Sequence, residues 1–296
     1  MNRFLLSKFC LVLVLSAPIA LKAAVPDIKA FVPMGGKAGT TVDVKVEGIS
    51  DKDPAPAIWC SREDLQIAAG EKPNQLKITI PENATPGLAW IRLHNAEGAS
   101  NLRPFEVGHI TEITETESNN TLETATELKE ESMTVNGVLG SGSDVDVFKM
   151  HLEPGQTVVA NLQANSRMGS PMDGVMQVVS PRGFVLRQHD DDLGFDPMAV
   201  YTTAEAGEYY IRLFSFPSTP NQSIAFSGAN TYVYRMLVTT GPYVDHTTPM
   251  SLSTAEPTSV RLFGWNLPRE LHELTLPPEA ANSSCSLPAR EYSKFT

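Results

Sequence analysis

The chain has 296 residues, is 42% hydrophobic and 19% charged, and carries a net charge of −11 at pH 7. That balance argues against disorder and for two or three folded domains, while the acidity argues against nucleic acid or anionic lipid as a partner. Three cysteines without a CxxC pair exclude a disulfide scaffold and a thiolate metal site.

Residues 1–24 read as a cleavable signal peptide. Arg3 and Lys8 make a positive start, Phe9 to Ile19 is apolar but too short to span a bilayer, and Ala23-Ala24 offers small residues for cleavage. Cleavage removes Arg3, Lys8 and Lys22 and takes the net charge from −11 to −14. No later run approaches ~20 apolar residues, so no transmembrane segment is expected in the mature protein. The expected location is therefore secreted, periplasmic or cell surface. Cys60 and Cys285 remain after cleavage. A disulfide between them is permitted there but implied by no spacing, and two unpaired thiols is the plainer reading.

Beyond the signal, period-2 alternation dominates and predicts an all-β chain of tandem β-sandwiches. Residues 25–108 predict an immunoglobulin-sized sandwich. Its strands include Thr41 to Glu47, ending at Gly48, then Leu76 to Ile80, stopped by Pro81, and Ala89 to His94, entered from Thr85-Pro86-Gly87. Residues 109–114 open a polar, acidic stretch and predict a linker. Eight further strands are predicted over 115–240: Thr134–Leu139, Val145–Leu152, Thr157–Ala164, Gly174–Ser180, Phe184–Gln188, Met198–Thr203, Glu208–Phe214 and Tyr232–Thr239. Such a run of short strands fits a jelly-roll sandwich. One short helical turn is expected near Leu122–Leu128.

An internal repeat closes the chain. Pro33-Met34 lies fifteen residues before Gly48, and Pro249-Met250 lies fifteen residues before Gly264. Val44 and Val46 then correspond to Val260 and Leu262. Residues 241–296 thus read as a partial second copy of the first module, and a truncated or fragmentary chain is expected.

No GxSxG, HExxH, GxxxxGK[ST] or GxGxxG motif is present, and the six histidines are scattered singly. The acidic clusters carry more: Glu115-Thr116-Glu117-Ser118-Asn119-Asn120, Asp144-Val145-Asp146, and Asp190-Asp191-Asp192 with Asp196. Alternate residues of an extended chain project to one side, so Glu115/Glu117 and Asp144/Asp146 each pair two carboxylates. Unneutralised neighbours repel, which suits a hard cation ligated by oxygens. For an isolated cluster a solvated acidic loop is the plainer reading.

The order of these motifs resembles the bacterial pre-peptidase C-terminal (PPC) domain. The matching residues are the opening E-x-E-x-N-N with Thr121, Ala125 and Leu128, then Val135-Asn136-Gly137 and Ser143-Asp144-Val145-Asp146-Val147-Phe148. They continue with Gly169-Ser170-Pro171-Met172-Asp173, His189-Asp190-Asp191-Asp192, and Ala206-Gly207-Glu208-Tyr209-Tyr210-Ile211-Arg212-Leu213. The flanking modules are similar to the Ig-like or IPT-like domains found beside PPC domains in planctomycete-type exported proteins. The resemblance implies a non-catalytic jelly roll attached to a larger secreted or surface protein. It also implies Ca²⁺ as a ligand of Glu115, Glu117, Asn119, Asn120, Asp144 and Asp146. Asn120 departs from the aspartate common in calcium-binding relatives, which removes a charge. The expected role is an accessory or binding module for an extracellular polymer or protein. The alternative is the non-catalytic part of a secreted hydrolase whose catalytic domain lies elsewhere.

Overall fold

The computed structural model describes residues 24–219, 225–253 and 255–278. Nearly all of the expected signal peptide, and Cys285, lie outside the described residues. Strands dominate, and three bodies of sheet follow one another along the chain.

The first module contains β1 (Ala30–Val32), β2 (Gly35–Lys37), β3 (Thr41–Glu47), β4 (Ala57–Cys60), β5 (Gln66–Ala69), β6 (Gln75–Thr79), β7 (Gly87–Asn95), β8 (Gly98–Ala99) and β9 (Arg103–Gly108). They form two sheets, ordered β1-β3-β6-β5 and β2-β9-β7-β4, with β8 paired to β7. Alternation decides which side chains turn inward. In β3, Val44 and Val46 are buried while Thr41, Asp43 and Lys45 face water. Phe31, Ile78, Ile91, Leu93 and Phe105 complete the core between the sheets.

The second module contains β10 (Thr111–Thr114), β11 (Thr126–Glu127), β12 (Ser132–Val138), β13 (Asp146–Leu152), β14 (Thr157–Gln163), a single helical turn α1 (Asn165–Met168), β15 (Met172–Val179), β16 (Val185–His189), β17 (Met198–Thr202), β18 (Gly207–Pro217) and β19 (Val233–Thr239). Two five-stranded sheets, β10-β12-β19-β14-β17 and β11-β13-β18-β15-β16, enclose Phe148, Leu152, Leu162, Met176, Ile211, Tyr234 and Met236. A second apolar cluster, Val145, Val147, Val175 and Phe214, lies on the outer side of the latter sheet, under Leu122 and Ala125.

Two expectations are corrected here. The linker predicted at 109–114 contains β10, which runs parallel to β12 and belongs to the second module's sheet. The helical turn predicted near Leu122–Leu128 is reduced to one hydrogen-bonded turn, in which the Thr124 N–H donates to Thr121 O at 3.2 Å. Thr121 and Thr124 hydrogen-bond each other and the local backbone, which competes with helix formation. The chain then enters β11, parallel to β13.

The third body is a three-stranded sheet of β20 (Tyr243–Thr248), β21 (Thr258–Trp265) and β22 (Glu273–Leu276). The repeat read from the sequence recurs in register. Phe31 pairs with Val46 and Val32 with Lys45, as Thr247 pairs with Leu262 and Thr248 with Arg261. Val260 and Leu262 are buried like their counterparts Val44 and Val46.

The first module packs onto a buried ion pair of the second. Arg235, on the outer face of β19, makes a two-pronged ion pair with Glu112 of β10, both contacts at 2.9 Å, and also bonds Asn136. Both charged side chains are at least nine-tenths buried. Gly35 of the first module lies directly over this guanidinium, where a Cβ would overlap it.

Candidate metal centre

Strand parity explains why carboxylates meet at one end of the second sandwich. Phe148, Met150 and Leu152 of β13 point into the core, so Asp146, on the same face, also points inward at the strand's start. From the opposite sheet, Tyr234 points inward in line with Met236 and Val238. Gly137 of β12 is its cross-strand partner. A Cβ at Gly137 would overlap the phenol, so glycine is what lets the ring reach the sheet's rim.

Glu115 enters from β10. Its backbone N–H donates to Asn136 O at 3.0 Å, continuing the parallel pairing, and its Oε1 accepts the N–H of Val138 at 2.5 Å. The Tyr234 hydroxyl lies 2.5 Å from Asp146 Oδ2 and 2.9 Å from Glu115 Oε2. A phenol has one proton and can donate to only one of those oxygens. Asp144 closes the turn 141–144 and accepts the Gly140 N–H through Oδ2 at 2.5 Å. Asn119 is fully buried, and its backbone carbonyl accepts the Val147 N–H at 3.0 Å.

Oxygens of Glu115, Glu117 and Asp146 lie within 4.8 Å of one another. Beside them, Asp144 Oδ1, Asp146 Oδ1 and both polar atoms of the Asn119 amide are buried with no hydrogen-bond partner among the described residues. Orphaned buried oxygens are rare and costly, about 1–3 kcal/mol each and more when charged. The electrostatics agree. Burial first, then the charges of Asp144 and Glu115, raise the Glu117 carboxyl above its ordinary value. Burial, then Glu115 and Asp144, push Asp146 up to about 10. Burial, then the charges of Asp146 and Glu115, raise the Tyr234 phenol.

Of the residues expected from the sequence, the structure gathers Glu115, Glu117 and Asp146, with Asn119 and Asp144 packed against them. Asn120 is a correction. It follows a residue whose side chain turns inward, so its own turns out, and it is exposed beside Thr121 and Leu122 in a separate hollow. Tyr234 is the residue sequence reasoning missed, because in its strand it reads as ordinary core. Its only sequence signal is the Asn136-Gly137 step across the ladder. The third acidic cluster lies elsewhere and serves backbone groups. Asp196 accepts the N–H groups of Asn165 and Ser166, and Asp192 that of Met198.

Among the described residues, no histidine hydrogen-bonds a serine, threonine or cysteine. His151 pairs with Glu208, His189 with Asp192 and His246 with Asp245.

No family model matches the chain, and no curated protein matches it. Among solved structures it is similar to PliG of Aeromonas hydrophila, a periplasmic inhibitor of g-type lysozyme, at 14% identity over 44% of this chain and 96% of that one, with a TM-score of 0.28. It is also similar to the pre-peptidase C-terminal domain of a collagenase from Bacillus anthracis, at 13% identity over 44% and 95%, with a TM-score of 0.27. A third is SGBP-B of a mixed-linkage glucan utilization locus in Bacteroides ovatus, at 12% identity over 72% and 76%, with a TM-score of 0.23.

Proposed function

We propose that this chain is an exported, non-catalytic binding module whose second sandwich is locked by one calcium ion. The observation that carries this reading is the set of buried, unpartnered oxygens of Asn119, Asp144 and Asp146, set against the crowded carboxylates of Glu115 and Glu117. Every candidate donor is oxygen, which suits a hard cation and excludes a thiolate or imidazole metal. The donors come from one strand start and two irregular segments, a set that suits the loose geometry of Ca²⁺ better than the strict octahedron of Mg²⁺. Glu115, Glu117, Asp144 and Asp146 would supply charge and Asn119 an amide oxygen. The ion would neutralise the repulsion and tie the entry segment to the start of β13. Extracellular sites of this kind bind at about 10⁻⁴–10⁻³ M, consistent with an exported protein. Among the described residues no helix is long and apolar enough to cross a membrane.

The test is thermal melting of the mature chain, residues 25–296, in chelator and in calcium. At about 100 times Kd, a ligand of the native state alone adds about 2.7 kcal/mol, or roughly 5–10 °C for a domain of this size. Glu117→Ala and Asp144→Ala should melt without a calcium response. An unchanged wild-type melting curve at millimolar calcium would refute the site.

A further inference from the structure

Two of the chain's three tryptophans stand on one face of the first module. In β7, Ala89, Ile91 and Leu93 turn into the core, so Trp90 and Arg92 turn out. In β4, Ile58 and Cys60 turn in and Trp59 out. Trp59 pairs with Arg92 across the ladder, which places Trp59 and Trp90 on a diagonal of the same face. They are 48% and 40% exposed. Arg92 Nε between them is buried with no partner among the described residues.

This face leads into a cleft. Across from β7, Pro104 of β9 pairs with Trp90 and Glu106 with Leu88. Glu106 lines a cleft of about 400 Å³, whose other walls are Arg167, Asn161 and Gln163 of the second module and Tyr243 of the third. Ligand sites concentrate at such module junctions. Glu106 Oε1 takes Arg167 at 3.0 Å, while Oε2 is buried and unpartnered. Among the described residues the Asn161 and Gln163 amides and the Tyr243 hydroxyl make no hydrogen bond.

We infer that this continuous surface binds a neutral polysaccharide chain. A sugar ring presents an apolar C–H face and a rim of hydroxyls. The indoles match the first, and the amides, phenol and carboxylate oxygen match the second. The Arg167–Glu106 pair leaves the cleft without excess charge, and the acidic protein as a whole repels a polyanion. The inference deepens the binding-module reading and rests on it, but it is independent of the cation.

Affinity electrophoresis of the mature chain tests it, in gels cast with hydroxyethyl cellulose, xyloglucan, galactomannan or mixed-linkage β-glucan, with polygalacturonate and gelatin as comparisons. At least one neutral polysaccharide should retard the protein, and polygalacturonate should not. Trp59→Ala and Trp90→Ala should each weaken retardation about tenfold, the loss expected for one stacking platform, with melting curves still showing a folded chain. Should either variant misfold, Gln163→Ala should weaken retardation, and the soluble polysaccharide should shift the indole fluorescence of the unaltered protein. Retardation by gelatin alone, or by no neutral polysaccharide, overturns the inference while leaving the calcium melting result standing. Retardation unaffected by all three substitutions overturns the assignment of this surface.

Discussion

Asp146 starts its strand on the core side, in a position where alternation demands an apolar residue. Burial and the neighbouring carboxylates push its carboxyl up to about 10, against an ordinary value of about 3.9. A raised folded-state pKa means the native state holds the proton more tightly than the unfolded chain. That contribution to stability is whole below about pH 4 and is lost as the pH rises toward about 10. Glu117, also raised, acts in the same direction. In chelator the melting temperature should therefore fall as pH rises from about 5 to about 9. In calcium the fall should be suppressed, because the ion takes the proton's place. Equal slopes in both buffers would contradict the site. Gly137 makes a second test. Gly137→Ala forces its Cβ against the Tyr234 phenol and should cost about 1–3 kcal/mol, read by denaturant titration. Tyr234→Phe keeps the ring but strands Asp146 Oδ2 and Glu115 Oε2, and should also cost about 1–3 kcal/mol.

At the scale of elements, Gly35 of the first module packs onto the Arg235–Glu112 pair, which joins β10 to β19 within the second module. Removing one partner of a buried pair strands the other charge, so Glu112→Ala should destabilise by about 3–5 kcal/mol, measured by melting. In the first sandwich β3, β6 and β7 were legible because each carries its own period-2 signal, whereas β1, β2, β4, β5, β8 and β9 are too short or too weakly alternating to be read; the second sandwich was more legible. All eight predicted between Thr134 and Thr239 are present. The strands β10 and β11 were not legible, because each is short and is held by parallel pairing to a distant partner, which leaves no local pattern. The same limit explains the candidate site. Glu115, Glu117, Asp144 and Asp146 could be picked out by spacing, since alternation pairs them locally. Which of Asn119 and Asn120 turns inward depends on the Asn119–Val147 backbone bond, and the part of Tyr234 depends on cross-strand register. Neither is written in a single segment.

For the whole molecule, three β bodies in series place a carboxylate cluster at the rim of the central sandwich and an aromatic face on the first. The two lie in different parts of the fold, so cation binding and polymer binding should be separable by substitution. Glu117→Ala should remove calcium and leave polysaccharide retardation in place, and Trp90→Ala should do the reverse. One ion held jointly by Glu115, Glu117, Asn119, Asp144 and Asp146 would set a stoichiometry of one. Equilibrium dialysis of the mature chain against radioactive calcium measures this directly. One calcium per chain is expected at millimolar concentration or below, abolished by Glu117→Ala combined with Asp144→Ala and undiminished by Asn120→Ala. No bound calcium, or full binding by the double variant, would contradict it.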